Sequence, residues 1–160
     1  MAHYKKQYGV SGEMLTATYF LMKGFNVFQP FATGTRDLLV EIDDKFYGVQ
    51  VKSGYKPWDD PNREKKRFKF NLKHSSTEDA YDPELVQIFA CVNLMSNLIV
   101  FLNNTGNKKT LSIRPEELAT IATYWTHRGF VGRQLALKIA ETVKRGEIVD
   151  DDNDACKVCE

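Results

Sequence analysis

The stretch that most limits what this chain can fold into runs from Thr35 to Ser53, where two runs of alternating apolar and polar residues flank Asp44-Lys45. Such alternation is the pattern of a β-hairpin with one buried face. With Asp44-Lys45 as the turn, Leu38 faces Val51, Val40 faces Val49 and Ile42 faces Tyr47, so one side is apolar throughout. The other side carries Asp37 across from Lys52, Gln50 as a diagonal neighbour of Asp37, and Gly48 across from Glu41. A slip of one residue would expose the valines and bury the charges, which specifies the register. An acid, an amide and a lysine then meet on one polar face, within roughly 8 Å by cross-strand geometry.

That face suits a divalent metal. Mg²⁺ prefers oxygen ligands and usually takes one or two carboxylates while keeping several waters. Asp37 supplies a carboxylate, and the Gln50 amide oxygen and the Val51 carbonyl can complete the protein ligands. A metal held there polarises a phosphoryl oxygen and lowers the pKa of an attacking water, as phosphodiester cleavage requires. Lys52 would orient that water or stabilise charge on the phosphorane. The plain alternative is a solvated sheet face, on which an aspartate at a strand start and a lysine at a strand end are common.

These residues resemble the PD-(D/E)XK nucleases, with Asp37 matching the first acid and Gln50-Val51-Lys52 matching the (D/E)XK tripeptide. Arg36 stands where that family often has proline. Gln50 replaces the usual second acid, a variant that also occurs in the family and that removes one negative charge from the ligand set.

Upstream, residues 10–24 read as an amphipathic helix. Ser11 is its N-cap, Met14, Leu15, Thr18, Tyr19 and Met22 fall at helical spacing, and Gly24 ends it. Glu13 lies in the first turn, where an acid complements the helix dipole with no further role. The order Gly12-Glu13, apolar helix, Gly24-Phe25-Asn26-Val27, Asp37, Gln50-x-Lys52 is nevertheless specific. Over about residues 8–55 it is similar to the amino-terminal halves of Holliday-junction resolvases and of small intron-associated homing endonucleases with this fold. The resemblance implies that Glu13 joins Asp37, Gln50 and Val51 around Mg²⁺, with Mn²⁺ able to replace it.

A length of 160 residues fits one domain with a core that needs no staples. No stretch approaches the ~20 apolar residues of a membrane span, so no membrane is expected as a partner. Met1 to Gly9 is polar and basic without an apolar signal region, which makes the cytoplasm the expected location. Cys91 sits in an apolar run and reads as a small core residue. Residues 147–160 carry six acids against one lysine, a balance of −5; taken from the whole-chain +1, this leaves +6 on residues 1–146. The folded part is modestly basic, which favours an anionic partner.

The most basic stretch follows the hairpin. Arg63, Lys65, Lys66, Arg67, Lys69 and Lys73 interleave with Phe68 and Phe70. Phosphate binding is dominated by such cations, so this segment is the expected DNA contact, with Arg36 as a further phosphate clamp or a partner for a carboxylate. The Phe68/Phe70 alternation predicts a short strand with Arg67 and Lys69 on its opposite face; a solvated loop with two anchoring aromatics is the alternative. Tyr55, Trp58 and Tyr81 fit a core edge and a binding surface equally.

Val27 to Phe31 reads as the first strand, and Thr33-Gly34-Thr35 as a loop delivering Asp37. Leu85 to Val92 is a near-continuous apolar run and predicts a centrally buried strand. Leu98 to Leu102 predicts another, and Thr110 to Ile113 a short edge strand. Pro115-Glu116-Glu117 opens a helix reaching about His127, and Val131 to Arg145 forms a second, whose Arg133, Lys138, Lys144 and Arg145, with Arg128 before it, can meet phosphates. Cys156 and Cys159 in the tail form a lone CxxC, too few ligands for structural zinc.

The expected fold is α/β: a restriction-endonuclease-like α/β sandwich around a central mixed β-sheet, in one domain over residues 1–146 followed by an acidic tail at 147–160. The resemblance implies a metal-dependent endonuclease of double-stranded DNA with Glu13, Asp37, Gln50 and Lys52 as its catalytic residues, homing-endonuclease-like and acting as a homodimer or homotetramer. The alternatives are a Holliday-junction resolvase and a non-catalytic DNA-binding module on a decayed nuclease fold.

Overall fold

The computed structural model describes residues 2–32, 34–57, 66–74, 76–107 and 110–116. Helix α1 (Ala2–Met22) opens the chain and is longer than its sequence pattern suggested. It runs straight through Ser11, which therefore caps nothing; Lys5, Lys6 and Gln7 are good helix formers, and no proline precedes them to stop the helix. Its end is as expected. Gly24 takes a left-handed conformation (φ +83°), Gly24 N donates to Leu21 O (2.9 Å) and Phe25 N to Phe20 O (3.1 Å). This is a Schellman cap, and Phe20 and Phe25 supply the apolar contact that accompanies it. Among the described residues no helix is long and apolar enough to cross a membrane.

Strands β1 (Asn26–Phe28), β2 (Leu38–Ile42), β3 (Lys45–Gly54), β5 (Ile88–Asn93) and β6 (Leu98–Asn103) form a sheet in the order β1-β2-β3-β5-β6. The β3–β5 pair is parallel and the others antiparallel, so the sheet is mixed, as expected. Strand β1 is three residues long and stops before Gln29, short of the expected span to Phe31.

The β2–β3 hairpin corrects the expected register. Its turn is Asp43-Asp44, not Asp44-Lys45, and the pairs are Ile42↔Lys45, Val40↔Tyr47 and Leu38↔Val49. Both turn residues have positive φ, 50° and 59°. A two-residue hairpin of this kind needs two left-handed residues, and aspartate visits that region more readily than lysine. Moving the turn by one residue moves the pairing by two, so each side chain keeps its face. The apolar side survives the change, but Asp37 now meets Gln50 and Val51 instead of Lys52.

Strand β5 is buried along its whole length and divides its side chains between two cores. Ile88, Ala90 and Val92 face α1 with Val40, Val49 and Phe20; Phe89 and Cys91 face the other way, with Phe68, Phe70 and Tyr81. Each large side chain fully buried in this way, Phe20 for one, contributes roughly 1.5–3 kcal/mol. The strand starts at Ile88, not Leu85, because Leu85 N and Val86 N turn back onto Asp82 O (3.1 and 2.9 Å). Strand β4 (Phe68–Asn71) pairs with β7 (Thr110–Ile113) as a second, two-stranded sheet. Phe68 and Phe70 are buried and Lys69 is exposed, as the alternation indicates. Thr33, Trp58, Arg63, Lys65, the helices predicted beyond Glu116 and the tail with Cys156 and Cys159 lie outside the described residues.

Candidate active site

Strand β2 leaves the sheet before β3 does. Pairing between them ends at Leu38↔Val49, while β3 continues to Gly54. Asp37 occupies the edge so released. Its main-chain N donates to Val49 O (3.0 Å), and its Oδ2 accepts from Gln50 Nε2 (2.6 Å) and from Val51 N (2.7 Å). An extended residue points its N–H and C=O to the same strand edge, so the Val51 carbonyl is on the Asp37 side as well.

Gln50 is 9 % exposed, and its Oε1 is buried without a hydrogen-bond partner. Leaving a buried acceptor unsatisfied costs about 1–3 kcal/mol. The amide cannot relieve this by turning over, since that would aim its oxygen at the Asp37 carboxylate. Burial pushes the Asp37 carboxyl above its ordinary pKa, against the opposing influence of the Val51 hydrogen bond, the Lys52 charge and the Gln50 hydrogen bond. Glu13 is raised too, first by burial and then by the Asp37 charge, while a hydrogen bond from Gln29 Nε2 (3.3 Å) works the other way. Two carboxyls that resist ionisation beside an orphaned amide oxygen form a place short of positive charge.

Lys52 is the cation whose charge acts on Asp37. Its Nζ donates to Tyr81 Oη (2.9 Å) and to the Lys73 carbonyl (3.2 Å), and lies 4.8 Å from the centre of the Tyr81 ring. Burial lowers its pKa, and the charge at Asp37 works the other way. Burial, then the Asp37 charge, push the Tyr81 phenol up to about 12, so it stays neutral near pH 7. Tyr81 is itself fixed: buried Asn104 Nδ2 donates to its carbonyl (3.0 Å) and to Val86 O (2.8 Å), and the His74 ring lies 3.8 Å away.

The structure thus gathers Asp37, Gln50, Val51 and Lys52 on one edge, with Glu13 close enough for its charge to couple to Asp37. Among the described residues no three His, Cys, Asp or Glu side chains form a metal-binding group. The available donors are instead two carboxylates, one amide oxygen and one main-chain carbonyl, all oxygens of the type Mg²⁺ takes.

Of the cations expected to meet DNA, Lys66 and Lys69 are exposed and Lys73 is half-buried. Arg67 is engaged within the fold, donating to Ser112 Oγ and Ser112 O (both 2.9 Å) and so clamping β4 to β7. The Arg36 stem lies over Gly48. In the sequence Tyr81 fits core and surface equally, and nothing there marks the Lys73 carbonyl or Gln29. Tyr81 lies 29 residues from Lys52 in an irregular stretch, where no periodicity could pair them.

No family model and no curated protein matches the chain. Among solved structures the chain is similar to a bacterial homing endonuclease, I-Ssp6803I, with a TM-score of 0.53 and 11 % identity, over 88 % of this chain and 94 % of that one. At that identity the likeness is one of fold: a mixed α/β arrangement of the nuclease kind, around a central five-stranded sheet.

Proposed function

We propose that this chain is a metal-dependent endonuclease of the PD-(D/E)XK type that hydrolyses phosphodiester bonds in double-stranded DNA, site-specifically and in the manner of a homing endonuclease. The observation that carries the reading is the orphaned Gln50 Oε1 beside a half-buried Asp37 carboxylate, on the strand that also bears Lys52. The likeness in fold to a homing endonuclease and the +6 balance over residues 1–146 support it.

Glu13, Asp37, the Gln50 amide oxygen and the Val51 carbonyl would hold Mg²⁺, or Mn²⁺ in its place. The ion when bound supplies positive charge at a phosphoryl oxygen and acidifies water. The chain's own residues do the positioning. Val51 N and Gln50 Nε2 fix one oxygen of Asp37 and leave the other for a ligand. Lys52 keeps a third ammonium hydrogen beyond those given to Tyr81 and Lys73, and directs it at a phosphate oxygen or at the attacking water. Tyr81 accepts from Lys52 without adding a charge. With one site per chain and two strands to cut, the active form is a homodimer or homotetramer.

Incubation with long duplex DNA, with and without Mg²⁺, tests the reading. Discrete metal-dependent fragments are expected from the wild type and not from Asp37→Ala or Lys52→Ala. Cleavage confined to four-way junctions would make the protein a resolvase, and tight binding with no cutting of either substrate would make it a non-catalytic module.

A further inference from the structure

Strands β1 and β2 are adjacent and antiparallel, yet nine residues, Gln29 to Asp37, connect them. Hairpin connections normally need about 2–5 residues. The β2–β3 turn of the same sheet uses two. Both ends of the long connection are tied to the acids of the candidate site. Gln29 Nε2 donates to Glu13, and Asp37 is itself the residue locked to β3.

Between these ends stands Phe31, fully exposed at 111 % of its reference surface. Burying such a side chain would gain roughly 1.5–3 kcal/mol, and the fold leaves that gain unused. Pro30 fixes the backbone just before it, so the ring is presented by a stiffened chain. At that exposure the ring packs on nothing else among the described residues, so Phe31 projects from the surface. A flat patch suits another protein surface; a lone projecting ring suits insertion.

We propose that Phe31 is a substrate-contacting side chain that wedges against the base pairs of duplex DNA beside the phosphate held at Asp37. The proposal rests on the endonuclease reading above and adds its mode of DNA engagement. Apolar wedges of this kind unstack a base step and kink the duplex, at a cost recovered through the contacts that the bend permits. Here the kink would carry the adjoining phosphate toward Asp37, which ends the loop, and toward Glu13, which Gln29 at its start contacts. Arg36, five residues on, lies on the same connection and supplies a cation to the backbone that follows.

The test uses the full chain and three proteins: wild type, F31A and F31W. The wild type has two tryptophans, Trp58 and Trp125, so the fluorescence difference between F31W and wild type reports position 31. Sheared duplex DNA is added in Ca²⁺, and plasmid nicking is followed separately in Mg²⁺. The added F31W emission is expected to be quenched on DNA binding. F31A is expected to nick roughly tenfold more slowly, the size of a lost base–aromatic stack, with an unchanged unfolding midpoint, while F31W retains its rate. If the wild type cuts but F31A cuts equally fast, or the F31W signal ignores DNA, the inference falls and the endonuclease reading stands. A change in sedimentation with F31A but none in the DNA readouts also overturns it, because Phe31 then packs on a second copy. Failure of the wild type to bind or cut duplex would remove the endonuclease reading and this inference together.

Discussion

Gln50 Nε2 lies 2.6 Å from Asp37 Oδ2, while the oxygen of the same amide is buried with no partner. The glutamine acts as a donor toward the acid and leaves an acceptor in want of a cation. Replacing it with glutamate removes the donor and sets a second carboxylate against Asp37. Gln50→Glu is expected to destabilise the metal-free protein by about 1–3 kcal/mol and to show a larger rise in melting temperature on adding Mg²⁺ than the wild type. Thermal unfolding in chelator and in Mg²⁺ measures both.

Asp37 is held against its own ionisation. Its folded-state pKa lies above the unfolded value, so its contribution to stability is fully present below the ordinary carboxyl range and is lost as pH rises through the raised folded value. Asp37→Asn keeps an oxygen to accept from Val51 N and removes the charge. In metal-free buffer it should lose less stability than the wild type between about pH 4 and pH 7, and should be no less stable at neutrality, while nicking disappears. Urea midpoints across that range, set beside a plasmid assay, check the prediction.

Tyr81→Phe removes one of two acceptors from a partly buried ammonium. The Lys73 carbonyl remains, so Lys52 is loosened but not stranded. The expected outcome is a stability loss of about 1–3 kcal/mol and slower nicking, with DNA binding in Ca²⁺ unchanged. Single-turnover cleavage and a gel-shift titration separate the two effects.

Gly48 and Gly12 have no room for a Cβ, for different reasons. At Gly48 the obstruction is the Leu85 carbonyl oxygen together with the Arg36 stem; at Gly12 it is chiefly the Ser53 hydroxyl. A backbone carbonyl cannot rotate away as a serine can. Gly48→Ala should therefore lower stability by about 1–3 kcal/mol, and Gly12→Ala by less, as denaturant midpoints would show.

Much of the fold was legible in the sequence because period-two patterns report burial directly. Leu38, Val40, Ile42, Val49 and Val51 all fall in the core cluster that faces α1, and Phe68 and Phe70 share the one across the sheet. The hairpin register differs by two residues from the one the alternation suggests, because the pattern fixes which face a residue takes, not its partner; the left-handed preference of Asp43-Asp44 decides the rest. Asp37, Gln50, Val51 and Lys52 were legible as neighbours since they lie on two consecutive strands. Tyr81, Lys73 and Asn104 were not: Lys73 and Tyr81 lie in the irregular stretch between β4 and β5, and Asn104 just past the end of β6, where no periodicity ties them to the hairpin.

Strand β3 outlasts its neighbour β2, so Val51 gives its amide hydrogen to a side chain instead of to the adjoining strand. Exchange of that hydrogen with solvent then follows the fate of one carboxylate more than the breathing of the sheet. In a nuclear magnetic resonance spectrum this single amide should move when Asp37 takes up a proton, and move again when a cation competes for the same lone pairs. Amides in the middle of the β3–β5 ladder should stay still through both events. The unmatched length of one strand has made a backbone hydrogen into a gauge of charge.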